Sequence, residues 1–201
     1  MKKLFKCVSL IAAMALTCAF IGCSNESSSD DNNSSQDSSS SGSFDDCTIA
    51  ATEVTLADGS WTIKTVSDDK GKGQYSENNI KATKSGDTLT FKSGSRKSTN
   101  DLSKMMSAEE LTAFNNLTDE QKKQQVRSGM GLPDDVTITF NGNICTVTGA
   151  FTESALNEYK TKLSGFISSA NEIKTNSDKT KYAITKEFDN EAPIKIYINK
   201  D

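Results

Sequence analysis

The sequence predicts a β-dominated α+β domain over residues 47–201, with an antiparallel sheet of about eight strands, open or curled into a barrel, and two helical insertions. Short segments of alternating apolar and polar residues occur in sequence-adjacent pairs around turn residues, which is typical of hairpins. Two longer segments carry apolar residues at helical spacing instead. The 155 residues of this region suit a single folded domain.

Four pairs of strands are predicted in chain order. The strongest hairpin signal is Asn141-Gly142. A two-residue loop there would place Ile138 opposite Cys145 and direct Cys145 toward the core. The four pairs are residues 49–56 and 60–66, residues 80–82 and 89–91, residues 136–140 and 143–147, and residues 182–188 and 194–198. The polar segments 67–78 and 93–104 are predicted to be loops.

The first helical insertion is predicted near residues 107–128. Ser107 with Glu110, and Thr118 with Gln121, each match the capping box that begins a helix. This pattern indicates two short helices in succession.

The second insertion is predicted at residues 153–174, where an apolar stripe follows the helical period. We expect this stripe to pack on the sheet. Its members are Leu156, Tyr159, Leu163, Phe166, Ile167, Ala170 and Ile173.

The N-terminal residues 1–22 have the features of a signal peptide. Lysines at positions 2, 3 and 6 precede an uncharged apolar stretch over residues 7–22. Its 16 residues are short for a membrane-spanning helix, which needs roughly 20. The stretch ends in Ala19-Phe20-Ile21-Gly22-Cys23 and turns polar at Ser24.

This ending resembles the lipobox of bacterial lipoproteins, in a relaxed form because Phe20 and Ile21 depart from the usual residues. The resemblance implies cleavage before Cys23, lipidation of Cys23 with acyl chains such as palmitate, and attachment to the membrane. Several acyl chains hold a protein stably on a membrane. Ser24 after the cysteine fits the outer membrane of the cell envelope. The alternatives are a plain secretory signal or an uncleaved anchor.

Residues 23–46 are predicted to be a disordered tether. The segment has 11 serines and six acidic residues among 24, and it has no basic residue. Such a composition buries too little apolar surface to offset the entropy of ordering. The tether would hold the domain away from the lipid surface.

Composition excludes several kinds of function. The chain has no histidine, which removes the imidazole base and the imidazole metal ligand. Residues 47–201 carry 20 basic and 21 acidic side chains, so no basic face for nucleic acid is expected. No spacing typical of a catalytic, cofactor or metal site is found, and we expect a protein that is not an enzyme.

The two cysteines of the domain, Cys47 and Cys145, are candidates for a disulfide. An exported protein occupies a compartment in which disulfides persist. A bridge between them would join the first strand to the central hairpin. The alternative is a pair of free, buried thiols.

One further resemblance concerns ligand binding. Gly59-Ser60-Trp61 at the start of a strand is similar to the Gly-x-Trp motif of lipocalin-like proteins. That resemblance implies a closed barrel whose interior holds a small hydrophobic ligand. Trp61, Phe91, Phe140 and Tyr182 would line such an interior.

These observations predict a lipid-anchored protein of the cell envelope with a non-enzymatic binding domain. Its partners would be the membrane, through Cys23, and a small hydrophobic ligand or a protein. The alternative is a structural or adhesion-type module with a solid core and no ligand cavity.

Overall fold

The computed structural model describes residues 44–201. The predicted signal peptide, Cys23 and nearly all of the tether lie outside the described residues. Within them the chain forms nine strands and four helices. In chain order the strands and the first helices are β1 Ile49–Ala50, β2 Gly59–Asp69, β3 Gln74–Ser85, β4 Thr88–Asp101, α1 Leu102–Met105, α2 Ala108–Asn115 and α3 Asp119–Gly129. The remaining elements are β5 Thr137–Asn141, β6 Ile144–Ala150, α4 Glu153–Ser168, β7 Glu172–Thr175, β8 Lys181–Phe188 and β9 Glu191–Lys200.

The strands form one antiparallel sheet that is not closed into a barrel. Its order is β1-β7-β8-β9-β2-β3-β4-β6-β5, so β1 and β5 form the two edges. The predicted antiparallel, β-dominated fold is confirmed, and the lipocalin-like barrel is wrong. Closure would require the edge strands to pair, and β1 has only two residues, both paired with β7.

The apolar core lies on one face of the sheet, as the two-residue period of a strand requires. Ile63, Ile80 and Ile198 form one cross-strand row on this face. The buried side chains separate into two clusters. The first is Trp61, Ile63, Ile80, Ala82, Leu156, Tyr159, Leu163, Tyr182, Ile184, Ile194, Ile196 and Ile198. The second is Leu102, Met106, Phe114, Val126, Met130, Val136, Ile138, Cys145 and Val147.

Helix α4 covers the first cluster through its predicted apolar stripe, with Leu156, Tyr159 and Leu163 buried. The helix ends at Ser168, six residues before the predicted end at 174. Its predicted last residues are wrong because Ile173 pairs with Ile184 in the sheet, so the chain extends there instead of continuing the helix.

Helices α1 to α3 cover the second cluster. Both predicted capping boxes are present, because the Ser107 and Thr118 side chains accept from the amides of Glu110 and Gln121 and the reciprocal bonds also form. The prediction of two successive short helices is confirmed. A preceding turn of helix, α1, was not predicted.

A hairpin forms near Asn141-Gly142 as predicted, but its two-residue loop is Gly142-Asn143 because Asn141 pairs with Ile144, and the register differs from the prediction by two residues. Ile138 pairs with Val147, and Cys145 pairs with Phe140. A two-residue shift keeps every side chain on its face. Cys145 therefore points to the core, as predicted, with 1% of its surface exposed.

The segments 67–78 and 93–104 are strands over most of their length, and the prediction of loops there is wrong. Strand β2 continues to Asp69, β3 begins at Gln74, and β4 runs to Asp101. Their side chains are polar on both faces of the sheet, so no alternation was visible. The backbone pairing with neighbouring strands holds these residues in the sheet.

Candidate functional site: a polar strip between two apolar clusters

The segments 67–78 and 93–104, which form strands and not the predicted loops, contribute to three cross-strand rows of polar side chains on the core-bearing face. The rows are Thr65, Asn78 and Arg96; Ser67, Ser76 and Ser98; and Gln74 with Asn100. We call these eight residues the polar strip. Adjacent strands lie about 4.8 Å apart and same-face residues about 6.8 Å apart, so the strip has the dimensions of a small ligand.

The polar strip separates the two apolar clusters. On one side, Thr65 and Ser67 pair with Ile196 and Ile194 of the first cluster. On the other side, Ser98 pairs with Val147 of the second cluster. Each cluster is covered by its own helices, so the strip lies between two helical layers.

Asn100 is the most buried residue of the strip, with 1% of its surface exposed. Its Nδ2 donates to Ser98 Oγ at 3.1 Å. Its Oδ1 is buried and has no hydrogen-bond partner among residues 44–201. A buried acceptor without a partner costs about 1–3 kcal/mol. A buried acceptor of this kind is therefore a candidate contact for a ligand.

Arg96 supplies the charge of the strip. Its Nε is buried without a hydrogen-bond partner in the described part of the chain. Its guanidinium carbon lies 6.0 Å from the centre of the Phe151 ring, close enough for a cation–π contact. Arginine presents five donors in a rigid planar fork and is always charged. The strip therefore holds a fixed positive charge and a buried N–H that has no partner among residues 44–201.

Thr65 connects the strip to helix α4. Its hydroxyl and the hydroxyl of Tyr159 form a hydrogen bond in the buried layer between β2 and α4. Burial raises the pKa of Tyr159 above its ordinary value, although the bond with Thr65 opposes the shift, so Tyr159 stays neutral. This contact fixes one wall of the strip.

The chemistry of the strip is that of polar recognition. Guanidinium, amide and hydroxyl groups together bind anions and hydroxyl groups. In the described residues no group of three or more His, Cys, Asp and Glu side chains could hold a metal ion. Asp69 continues the row of Gln74, but its carboxylate accepts a hydrogen bond from the backbone amide of Lys72 at 2.9 Å.

The four predicted ligand-lining aromatic residues do not meet in one cavity. Trp61 is completely buried in the first cluster, and its indole nitrogen donates to the Ala57 carbonyl at 2.9 Å. Tyr182 is buried in the same cluster with its hydroxyl on the Thr55 carbonyl. Phe91 packs at its margin, and Phe140 belongs to the second cluster. An open sheet has no barrel interior for them to line.

The expected disulfide is not formed. Within residues 44–201 neither Cys47 nor Cys145 forms a disulfide, and both are buried. Cys47 lies against the backbone of Ala183 in β8, whereas Cys145 is in β6. Four strands separate β8 from β6 in the sheet. That separation of about 24 Å is far beyond the Cα distance of a disulfide, which is at most about 7 Å.

No family model, curated protein or solved structure matches this chain. Among the helices of residues 44–201, none is long and apolar enough to cross a membrane.

Sequence reasoning missed every residue of the polar strip, because it assigned most of them to loops. No pattern in the sequence marks them. The strip residues on β3 and β4 are spaced by two along each strand. The residues between them are also polar, so no alternation of apolar and polar residues results. A period of two is visible only where the residues between differ in polarity.

Proposed function

We propose that this protein is a lipid-anchored, non-enzymatic binding protein of the cell envelope, and that its domain binds a polar ligand on the polar strip. The observation that carries the site is the buried Oδ1 of Asn100, which lacks a partner among residues 44–201 on the same strand as the unpaired Nε of Arg96. A ligand that bonds to both groups would remove the cost of leaving them unpaired.

The position of the strip supports binding. Its residues lie on β2, β3 and β4, which are inner strands of the sheet. Groups on inner strands keep their geometry before the ligand arrives, so little ordering entropy is lost on binding. The sequence led us to expect a small hydrophobic ligand, but the strip favours a polar one because its own groups are polar.

The proposed anchor is Cys23, and it is tested separately from the site. Wild-type protein and Cys23→Ser are expressed in a bacterial host that processes lipoproteins and labelled with radioactive palmitate. We expect label and membrane association to be lost in Cys23→Ser. Cys18→Ser, inside the signal peptide, is the matched control and keeps both. Persistent labelling of Cys23→Ser would contradict the anchor.

The site is tested by native mass spectrometry of the full-length protein extracted in mild detergent. We expect an additional bound mass that disappears on denaturation and is absent from Arg96→Gln. Lys97→Gln removes the same charge from the adjacent residue, on the opposite face of β4, and keeps the bound mass. A bound mass that survives in Arg96→Gln would place the ligand elsewhere.

A structural or adhesion-type module is the second candidate. It is favoured by the face of the sheet opposite the core, where Thr99, Thr146 and Thr139 form a cross-strand row and no core cluster lies. Two results together would favour that function: the strip binds no ligand, and substitution of these threonines abolishes binding of a protein partner.

A further inference from the structure

We propose that the ligand of the polar strip is an acidic carbohydrate, that is, an oligosaccharide that carries a carboxylate. This inference rests on the proposed function, because it names the ligand class of the same site. It is carried by three features together: the buried Nε of Arg96 and the buried Oδ1 of Asn100, neither of which has a hydrogen-bond partner among residues 44–201, and a row of serine hydroxyl groups between them.

The charge of the ligand follows from Arg96. Arg96 Nε is buried without a hydrogen-bond partner among residues 44–201, and the other seven members of the strip are uncharged. Asp69, which continues the row of Gln74, forms an ion pair with Lys72. A half-buried cation is stabilised by an opposite charge brought by the ligand. The planar fork of a guanidinium matches a carboxylate with two parallel hydrogen bonds.

The hydroxyl groups of the ligand follow from Asn100 and Ser98. Asn100 Oδ1 needs a donor, and Ser98 Oγ already accepts from Asn100, so its own proton is free to donate. A group that donates to Asn100 and accepts from Ser98 satisfies both. A sugar hydroxyl does this with one atom, since a hydroxyl carries one donor and two acceptor sites.

The length and shape of the ligand follow from the strand. Arg96 and Asn100 are four residues apart on β4, or about 13 Å, so the ligand extends over more than one sugar ring. The guanidinium of Arg96 lies over the Phe151 ring, and this contact holds it at its end of the strip.

The position of the strip disfavours an acidic peptide. Extended peptides bind sheets by adding a strand to an exposed edge. Strands β2, β3 and β4 are each paired on both sides. The strip therefore offers only side-chain groups to a ligand.

The test is isothermal titration of the detergent-solubilised full-length protein with trigalacturonate. The comparison ligand is its methyl ester, which has the same sugar rings and no charge. We expect trigalacturonate to bind, with an affinity that falls at least about tenfold for Arg96→Gln and for the methyl ester. Lys97→Gln, which removes the neighbouring charge on the opposite face, stays within about twofold of wild type. Arg96→Lys keeps the charge and loses the planar fork, so its affinity for trigalacturonate should lie between those of Arg96→Gln and Lys97→Gln.

The outcomes separate the two proposals. Equal binding of the acid and the ester, with loss of both in Asn100→Ala, would overturn the acidic ligand and leave the polar-ligand site standing. Failure of both sugars to bind, or binding unchanged in Arg96→Gln and Asn100→Ala, would overturn the carbohydrate inference. The proposed function would then be decided separately, by whether native mass spectrometry finds a bound mass that Arg96→Gln lacks. Circular dichroism confirms that each variant is folded.

Discussion

Tyr159 of helix α4 and Thr65 of strand β2 share a hydrogen bond between their buried hydroxyl groups, 94 residues apart in the chain. Tyr159 is 2% exposed and Thr65 is 3% exposed, so water does not replace the bond if either partner is removed. The bond also joins the helix that covers the first apolar cluster to the first row of the polar strip.

Removal of one partner of this bond should destabilise the protein. We expect Tyr159→Phe to lower the free energy of unfolding by about 1–3 kcal/mol, because the Thr65 hydroxyl is left buried and unpaired. The double variant Tyr159→Phe with Thr65→Val should cost less than the sum of the single changes. Urea denaturation measures each value.

Tyr197→Phe is the control for that series, because Tyr197 is only half-buried. We expect it to change the free energy of unfolding by no more than about 0.5 kcal/mol. Strict additivity of the Tyr159 and Thr65 substitutions would contradict the coupling.

Two glycines should respond to alanine with opposite signs. A Cβ at Gly94 would collide with Ile80 and would lie 2.9 Å from Phe151, so Gly94→Ala should destabilise the domain by about 1–3 kcal/mol. Gly165, inside helix α4, has nothing within 4 Å of the same atom. Gly165→Ala should stabilise by up to about 1 kcal/mol. Thermal unfolding of both variants checks the pair, and a shared sign would contradict the packing described around β4.

The stability of the sheet should depend on pH through Glu77. Burial acts to raise the pKa of its carboxyl, but hydrogen bonds from Tyr75, Asn79 and Lys64 and the charge of Lys64 together hold that pKa below the ordinary value. The carboxylate is therefore favoured in the folded state. Its stabilising contribution is complete above the unfolded pKa of about 4.3 and is lost as the pH falls through the lower folded value.

Glu77→Gln tests this sign. The free energy of unfolding of wild type should exceed that of Glu77→Gln at pH 7, and the difference should shrink between pH 5 and pH 3. Glu158→Gln, an exposed residue of helix α4, controls for the loss of one negative charge. A difference that grows on acidification would show that the pKa is raised instead.

The two unbridged cysteines give a further prediction. Cys47 and Cys145 should each take up one iodoacetamide when the protein is unfolded without reductant, and peptide mapping by mass spectrometry should find no peptide pair linked through them. In the folded protein Cys47 should react slowly, because burial, aided by the charge of Asp46, raises its pKa and suppresses the thiolate. A linked peptide pair would contradict the strand order, which separates the two cysteines.

Local signals in the sequence were sufficient for the elements whose formation is local. Ser107 with Glu110 and Thr118 with Gln121 begin their helices because each box satisfies amides within four residues. The hairpin between β5 and β6 turns at Gly142, which adopts a positive φ of 57° that glycine reaches at no steric cost.

The remaining features depend on contacts between distant residues. Strand β2 pairs with β9, more than 100 residues away, and nothing near Trp61 in the sequence specifies that partner. Arg96 and Asn100 are extended because β3 and β6 pair with them on both sides. A polar strand between two paired neighbours has the composition of a loop, so the polar strip is visible only in the folded protein.

The most direct test of the polar strip uses the two arginines of the chain, Arg96 and Arg127. Each gives one Nε–H signal in a nitrogen–proton NMR spectrum of the labelled full-length protein, and Arg127→Lys assigns them. Arg127 lies in helix α3 and donates to the Val136 carbonyl at 3.3 Å, away from the strip. On titration with trigalacturonate, the Arg96 signal should move and saturate while the Arg127 signal stays in place. A stationary Arg96 signal, or equal movement of both signals, would contradict binding at the polar strip.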